Sequence, residues 1–289
     1  MYRKILVPLD GSKLAEQILP LVQSLAQALQ AAVELLRIND FEKMAAYAPP
    51  LQGGEYLDAV AKQYFAAATR VEKTVELGKP AEVIVDRASS DPTCLIAMAT
   101  HGMSGVRRWL IGSVASKVAH SAANPLLLIR PTESAEPSAL SQLKTIFVPL
   151  DGSGLAERAL WHAVELAKLM NCEIHLMRMY TLPANAYVLT DGVIAQGAAQ
   201  YREAMQQEAA TYLDGKVEEL RAQGLQRIVA TAIEGDPASE IIDIDVNTPN
   251  CLIVMSTHGR SGVGRWVLGS VAEKVIQHSG APVLLIRAN

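Results

Sequence analysis

The sequence predicts an α/β protein of two similar domains, each a five-stranded, mostly parallel sheet between helix layers, with the two arranged as a pseudo-dimer. Three observations predict it. The chain is written twice, short β-rich runs alternate with helical stretches in each copy, and strands such as CLIAMA are apolar throughout instead of alternating with polar residues. The 289 residues, 50% hydrophobic and 19% charged, suffice for two ordinary domains with full cores and exclude disorder over most of the length.

The repeat is direct. VPLDGS at Val7–Ser12 returns at Val148–Ser153, an offset of 141 residues. TCLIAMAT at Thr93–Thr100 returns as NCLIVMST at Asn250–Thr257, an offset of 157, and the match continues through HGMSGVRRWLIGS (His101–Ser113) against HGRSGVGRWVLGS (His258–Ser270) and NPLLLIR (Asn124–Arg130) against APVLLIR (Ala281–Arg287). The offset grows by 16 residues between blocks, which places an insertion in the second half, around Thr181–Gln200, where Pro, Asn, Gly and Ala accumulate. The expected domains run over 1–131 and 144–289. The stretch between them, 132–143, lies in PTESAEPSALSQL, whose Pro, Ser and Glu without apolar periodicity suit an exposed linker.

Each element follows from its pattern. Lys4–Leu9 is an apolar strand, and Leu14, Ile18, Leu21, Val22, Leu25 and Leu29 fall on one face of the helix after it. Val33–Ile38 is the second strand, Tyr56–Thr69 a helix, Val71–Leu77 a strand, and a helix opens at Pro80. Cys94–Ala99, a helix from Ser113 and the strand Leu126–Ile129 complete the half. Runs such as CLIAMA are buried on both faces, as in a parallel sheet covered by helices on each side. The second half repeats the order with a longer helix near Ala198–Arg221. The last strand of each half, LLLI and VLLI, is short, apolar and at a sheet edge, so the two halves are expected to pair through it.

The formal charge of −4 and a pI of about 5.9 argue against nucleic acid or an anionic membrane as partner. MYRKILVPLDGS reaches Asp10 and Gly11 too soon for a secretory or spanning segment, so a soluble, cytoplasmic protein is expected. Cys94, Cys172 and Cys251 form no CxxC pair and read as reduced thiols, with neither a metal nor a disulfide scaffold.

In a doubly wound, Rossmann-like (flavodoxin-like) sheet, ligands bind beyond the carboxyl ends of strands where the strand order reverses. PLDGS closes the first strand of each half, and ATHG or STHG closes the fourth. Gly112-Ser113 and Gly269-Ser270 then open a helix, with Ser113 and Ser270 as expected N-caps. The N–H groups beyond them, with the positive end of the helix dipole, form an anion site. Asp10 and Asp151 either close an Asx turn or cap the next helix, or contact a ligand, and these roles are compatible.

With (A/S)-T-H-G-x9-G-S after a strand and P-L-D-G-S near the start, the chain resembles the universal stress protein family in a tandem two-domain form, over essentially its whole length. The nucleotide-binding members carry G-x2-G-x9-G-(S/T), which holds the ribose and phosphates of ATP. This chain departs at the first glycine, where Ala99 and Ser256 stand, both small. The resemblance implies ATP, with or without Mg²⁺, in each half. It places Asp10 and Asp151 on ribose or adenine-edge groups, beside Pro8, Leu9, Pro149 and Leu150. Ile38, Met179, Met98 and Met255 would form the adenine slot. The backbone of Gly102, Gly112, Ser113 and Val114, and of Gly259, Gly269, Ser270 and Val271, would cradle the phosphates, with Arg108 and Arg265 either neutralising phosphate charge or solvated. It also implies a dimer-like contact through the last strands.

His101 and His258 belong to the motif. Without a second ligand at metal spacing or a nearby carboxylate they read as loop histidines bonded to backbone. Trp109 and Trp266 read as hydrophobic anchors, and His120, His162, His175 and His278 as surface or incidental. No P-loop, acidic Mg²⁺ ligand at a strand end or nucleophile elbow is present, so no catalytic residue is expected and ATP hydrolysis is slow at most. Three functions are compatible with these residues: a nucleotide-binding regulatory protein, a non-nucleotide interaction module with drifted sites, or an enzyme of the wider adenine-nucleotide hydrolase-like superfamily. The last needs an S-G-G-x-D-S loop where D-G-S stands. Further self-association and protein partners are left open.

Overall fold

A computed structural model describes residues 1–40, 53–102, 111–131, 142–182, 192–244, 248–258 and 268–287, with 192–198 described by their helical backbone alone. In the first half β1 (Lys4–Pro8), α1 (Lys13–Glu16) and α2 (Leu19–Leu29) are followed by β2 (Ala32–Asn39), α3 (Gly54–Tyr64), β3 (Val71–Leu77), α4 (Pro80–Ser89), β4 (Cys94–Ala99), α5 (Ser113–Ser121) and β5 (Leu126–Ile129). The second half comprises β6 (Thr145–Pro149), α6 (Gly154–Met170), β7 (Glu173–Tyr180), α7 (Gly192–Ala222), β8 (Ile228–Glu234), α8 (Pro237–Ile242), β9 (Cys251–Ser256), α9 (Ser270–His278) and β10 (Val283–Ile286).

Two helices differ from expectation for local reasons. The helix expected through Leu14–Leu29 is broken, because Pro20 has no N–H to give the Glu16 carbonyl and its ring crowds that carbonyl. Trp161 holds the equivalent place in α6, which runs unbroken. Helix α3 stops at Tyr64, short of Thr69, as Phe65 turns extended and buries its ring. The second-half insertion lies between β7 and β8, where α7 has 31 residues against 11 in α3. Residues 183–191 of the expected insertion lie outside the described residues.

All ten strands form one sheet in the order β3-β2-β1-β4-β5-β10-β9-β6-β7-β8. Neighbours are parallel within each half. The halves join antiparallel at β5 and β10, with Leu127 opposite Leu284, so the last strands do pair. Helices cover both faces. Ile5, Val7, Val33, Leu35 and Leu95 pack with α2 and, across the junction, with Ile146, Val148 and α6 in one core. Leu6, Leu36, Ile96 and Met98 pack with α4 and α5, and with Phe147, Ile253, α8 and α9, in the other. No disulfide joins the three buried cysteines, and burial pushes the Cys94 thiol up to about 11.

Polar contacts also cross between the halves. Arg287, just past β10, donates from Nε to the Ala122 carbonyl (2.7 Å) and from Nη2 to those of Ala119 (2.9 Å) and His120. Arg130 Nη1 donates reciprocally to the His278 carbonyl (3.1 Å). The buried Tyr2 stacks on His162 and shares a 2.7 Å hydrogen bond with its Nδ1. Burial, then the N-terminal ammonium, lowers the His162 pKa to about 4. His162 and His175, which bonds Thr231 at 2.8 Å, are therefore partners in packing and not incidental, and His120 and His278 bond the carbonyls one helical turn back.

The first half also buries a charge. Glu34 on β2 is 0% exposed and meets Lys4, Arg87 and the Thr74 hydroxyl. Burial alone would raise its pKa, but the Lys4 and Thr74 hydrogen bonds and the charges of Lys4 and Arg87 outweigh it and hold the carboxyl below its ordinary value. His175 occupies the equivalent place in β7.

Candidate functional site

The chain passes from β1 outward to β3, then returns to the other side of β1 for β4 and β5. The order therefore reverses between β1 and β4, and likewise between β6 and β9, and at such points the loops leaving the carboxyl ends diverge and leave a crevice. PLDGS and THG stand at those ends.

The first turn is built identically in both halves. Leu9 N–H donates to the Leu36 carbonyl (2.8 Å) and Leu150 N–H to that of Met177 (2.7 Å), carrying the chain one residue past the strand. Asp10 Oδ1 accepts from the backbone N–H (3.0 Å) and hydroxyl (2.6 Å) of Ser12, whose Oγ accepts from Ala15 N–H and caps α1. Asp151, Ser153 and Ala156 repeat the arrangement. The Asx-turn role of both aspartates is thus present, and the serine, not the aspartate, caps the helix. Gly11 (φ +86°) and Gly152 (φ +83°) adopt the left-handed conformation this turn requires.

The second turn leads into the anion-site helices. Gly112 N–H donates to the Thr100 carbonyl (2.8 Å) and Gly269 N–H to that of Thr257 (2.9 Å), tying each helix entry to the end of its strand. A Cβ on either glycine would stand 2.8 or 2.9 Å from the same carbonyl oxygen. Ser113 and Ser270 are not the N-caps that their type predicts. They are the first helical residues, Gly112 and Gly269 hold the N-cap positions, and among the described residues no side chain caps either helix. The first N–H groups of a helix have no intrahelical partner and, with the helix dipole, suit an anion.

His101 and His258 bond the hydroxyls of Thr100 and Thr257 through Nδ1 (3.1 Å each), instead of backbone as expected. Their Nε2 atoms are buried, and neither meets a hydrogen-bond partner among the described residues. Burial, followed by the charge of Arg130 or Arg287, lowers both pKa values, so both rings are neutral at pH 7.

In the second half these elements line an open cavity of about 290 Å³, just below the range for ligand clefts, about 300–1,000 Å³. It brings together Pro149, Leu150, Asp151, Met179, Met255, Ser256, His258, Gly269, Ser270 and Val271, all of the expected second-half set that the structure describes. Ala156, Pro237, Ile241, Thr257 and Ala272 line it as well. Pro237 was discoverable, since it repeats Pro80 and each opens a helix. In the first half Pro8, Leu9 and Asp10 close β1, Ile38 lies on β2, Met98 and Ala99 end β4, and Val114 follows Ser113 in α5. Gly102 meets Asp10 so closely that a Cβ there would stand 1.8 Å from Oδ2. Arg108, Trp109, Gly259, Arg265 and Trp266 lie outside the described residues. Among the described residues no group of three or more His, Cys, Asp or Glu is placed to hold a metal, and no helix is long and apolar enough to cross a membrane.

A sequence profile of the universal stress protein family matches residues 1–130 and again 142–287. The chain belongs to the universal stress protein family. The tandem form is supported by relatives of both lengths. Universal stress protein MJ0531 of Methanocaldococcus jannaschii is 32% identical over 144 residues, half of this chain and 82% of that one. Universal stress protein Mb2028c of Mycobacterium bovis is 25% identical over 230 residues, 78% of this chain and 68% of that one. The crystal structure of a universal stress protein from Archaeoglobus fulgidus covers all of both chains with a TM-score of 0.71 at 20% identity, a likeness of fold. In this universal stress protein each family segment carries its own strand-order reversal and the same first turn, and because β5 and β10 run antiparallel the two sets face opposite ends of the shared sheet.

Proposed function

We propose that this universal stress protein binds adenine nucleotide, ATP with or without Mg²⁺, in each half. It acts in the cytoplasm as a stress-response regulatory or protective protein whose signal is occupancy and not turnover. The observation that carries the reading is the second-half cavity. Its wall of Leu150, Met179, Ile241 and Met255 suits a flat apolar base, and Asp151 and Ser256 supply polar groups for a ribose. Gly269 and Ser270 lead from it to the uncapped start of α9, where backbone N–H groups and the helix dipole favour phosphate. No group in the described lining is poised as a base to activate water: His258 is a candidate by type only, as its Nε2 is buried.

Denaturing the purified protein and identifying released nucleotide by mass spectrometry, with titration calorimetry against ATP, tests the reading. The double variant Gly102→Ala, Gly269→Ala is expected to lose at least tenfold in ATP affinity, because the new methyls collide with the Asp10 carboxylate and the Thr257 carbonyl. Circular dichroism checks that the fold survives. Undiminished affinity in the folded variant would put the phosphates elsewhere.

A further inference from the structure

The two halves form an internal comparison, with the same strands, turns and helix starts but different residues at two positions of the crevice. Ser256 and Met179 stand in the second half where Ala99 and Ile38 stand in the first. The functional meaning of that difference rests on the nucleotide binding proposed for both crevices.

Ser256 ends β9 with 8% of its surface exposed, and its hydroxyl donates to the carbonyl of His258 two residues on, where the chain leaves the strand for the loop. Both residues line the cavity. Since a peptide group is planar, holding its oxygen holds the whole unit in one orientation. Backbone ordered in advance in this way gives up less conformational entropy when a ligand arrives. Ala99 has no hydroxyl and offers the His101 carbonyl no such donor. Met179 adds a flexible, polarisable thioether that adapts to an aromatic face, whereas the β-branched Ile38 is stiff at χ1.

We infer that the two halves are unequal ATP sites, that the second is the stronger, and that Ser256 is the positioning residue that makes it so. Ser256 acts by fixing the strand-end peptide on which the loop is hung, and the first half lacks this tie.

Titration calorimetry of the full chain with ATP tests this, with thermal melting run on each variant. The wild type is expected to show one strong site, the other weaker or below detection. Ser256→Ala should weaken the strong site roughly fivefold, about the worth of one neutral hydrogen bond, in a protein that still melts cooperatively. Ser256→Thr should restore it, and Ala99→Ser should tighten the weaker site. Two equal sites in the wild type, or a strong site indifferent to Ser256→Ala, would overturn the inference while leaving the nucleotide reading intact. Affinity and melting temperature falling together, without rescue by threonine, would show a merely structural serine and overturn it too. A wild type that takes up no ATP would overturn the nucleotide reading, and this inference with it.

Discussion

Replacing Arg287 by methionine isolates one polar tie between the halves. The guanidinium reaches from the end of β10 to three carbonyls of Ala119, His120 and Ala122, at 2.9 Å, a short contact and 2.7 Å. These belong to the C-terminal turn of α5, where helix geometry leaves carbonyls without intrahelical partners. Methionine keeps an apolar stem and removes every donor. A hydrogen bond from a charged donor contributes about 1.5–3 kcal/mol. Because the three share one half-buried side chain and water can reach part of the space, the expected loss is about 3 kcal/mol and not their sum. Arg70→Met supplies the control: Arg70 is 78% exposed and its partner Glu72 43%, so the loss there should stay under about 0.5 kcal/mol. Urea unfolding followed by far-ultraviolet circular dichroism measures both, with an unchanged slope marking a true change in stability. If Arg287→Met falls within about 0.5 kcal/mol of Arg70→Met, the Arg287 contacts across the junction contribute nothing beyond the paired strands, and the reasoning fails.

Two further perturbations concern charge and pH. Glu34→Gln leaves Lys4 and Arg87 facing a neutral amide in the core and should cost about 3 kcal/mol in the same urea assay. The folded pKa of Glu34 lies below the unfolded one, so its contribution is present above the unfolded carboxyl pKa and lost as pH falls through the folded value; the variant should lack that part of the acid slope. His162 behaves in the same direction for the opposite reason. Its neutral form is the one buried, so stability is full above about pH 6.5 and declines towards the folded pKa of about 4. Allowing for partial solvent screening, the decline is about 1–2 kcal/mol. His162→Phe should flatten it, and an undiminished decline in that variant, read from thermal melts between pH 7 and about pH 4, would refute the assignment.

What could be read in the sequence was whatever local pattern encodes. Apolar runs such as CLIAMA marked the strands at the centre of the sheet, the duplicated motifs fell at both strand-order reversals, and the short apolar LLLI and VLLI strands showed where the halves meet, because an uncovered edge of that kind must be paired. Interactions that depend on side chains brought together from distant positions were not legible. Glu34 sits in an ordinary strand run, and its partners Lys4 and Arg87 are placed beside it only by the folded sheet. Tyr2 and His162 are 160 residues apart. The break in the first helix was encoded by Pro20 but hidden by the periodicity of Ile18, Leu21 and Val22 around it. The serines of the anion site looked like caps by type, yet the glycine before each has the N-cap position, because the short bond from its N–H to the strand-end carbonyl sets where the helix begins. The serine at position 256 was legible only as a small residue. Its hydrogen bond to the His258 carbonyl depends on how the chain turns as it leaves β9.

Joining both copies of the unit in one polypeptide, with β5 laid against β10, has a genetic consequence. In an assembly of identical subunits every amino-acid change is imposed on both members, so neither can specialise without the other. Here Glu34 and His175, or Ala99 and Ser256, occupy corresponding places yet are spelled by separate codons. A single nucleotide change can remodel one crevice and leave its twin as it was.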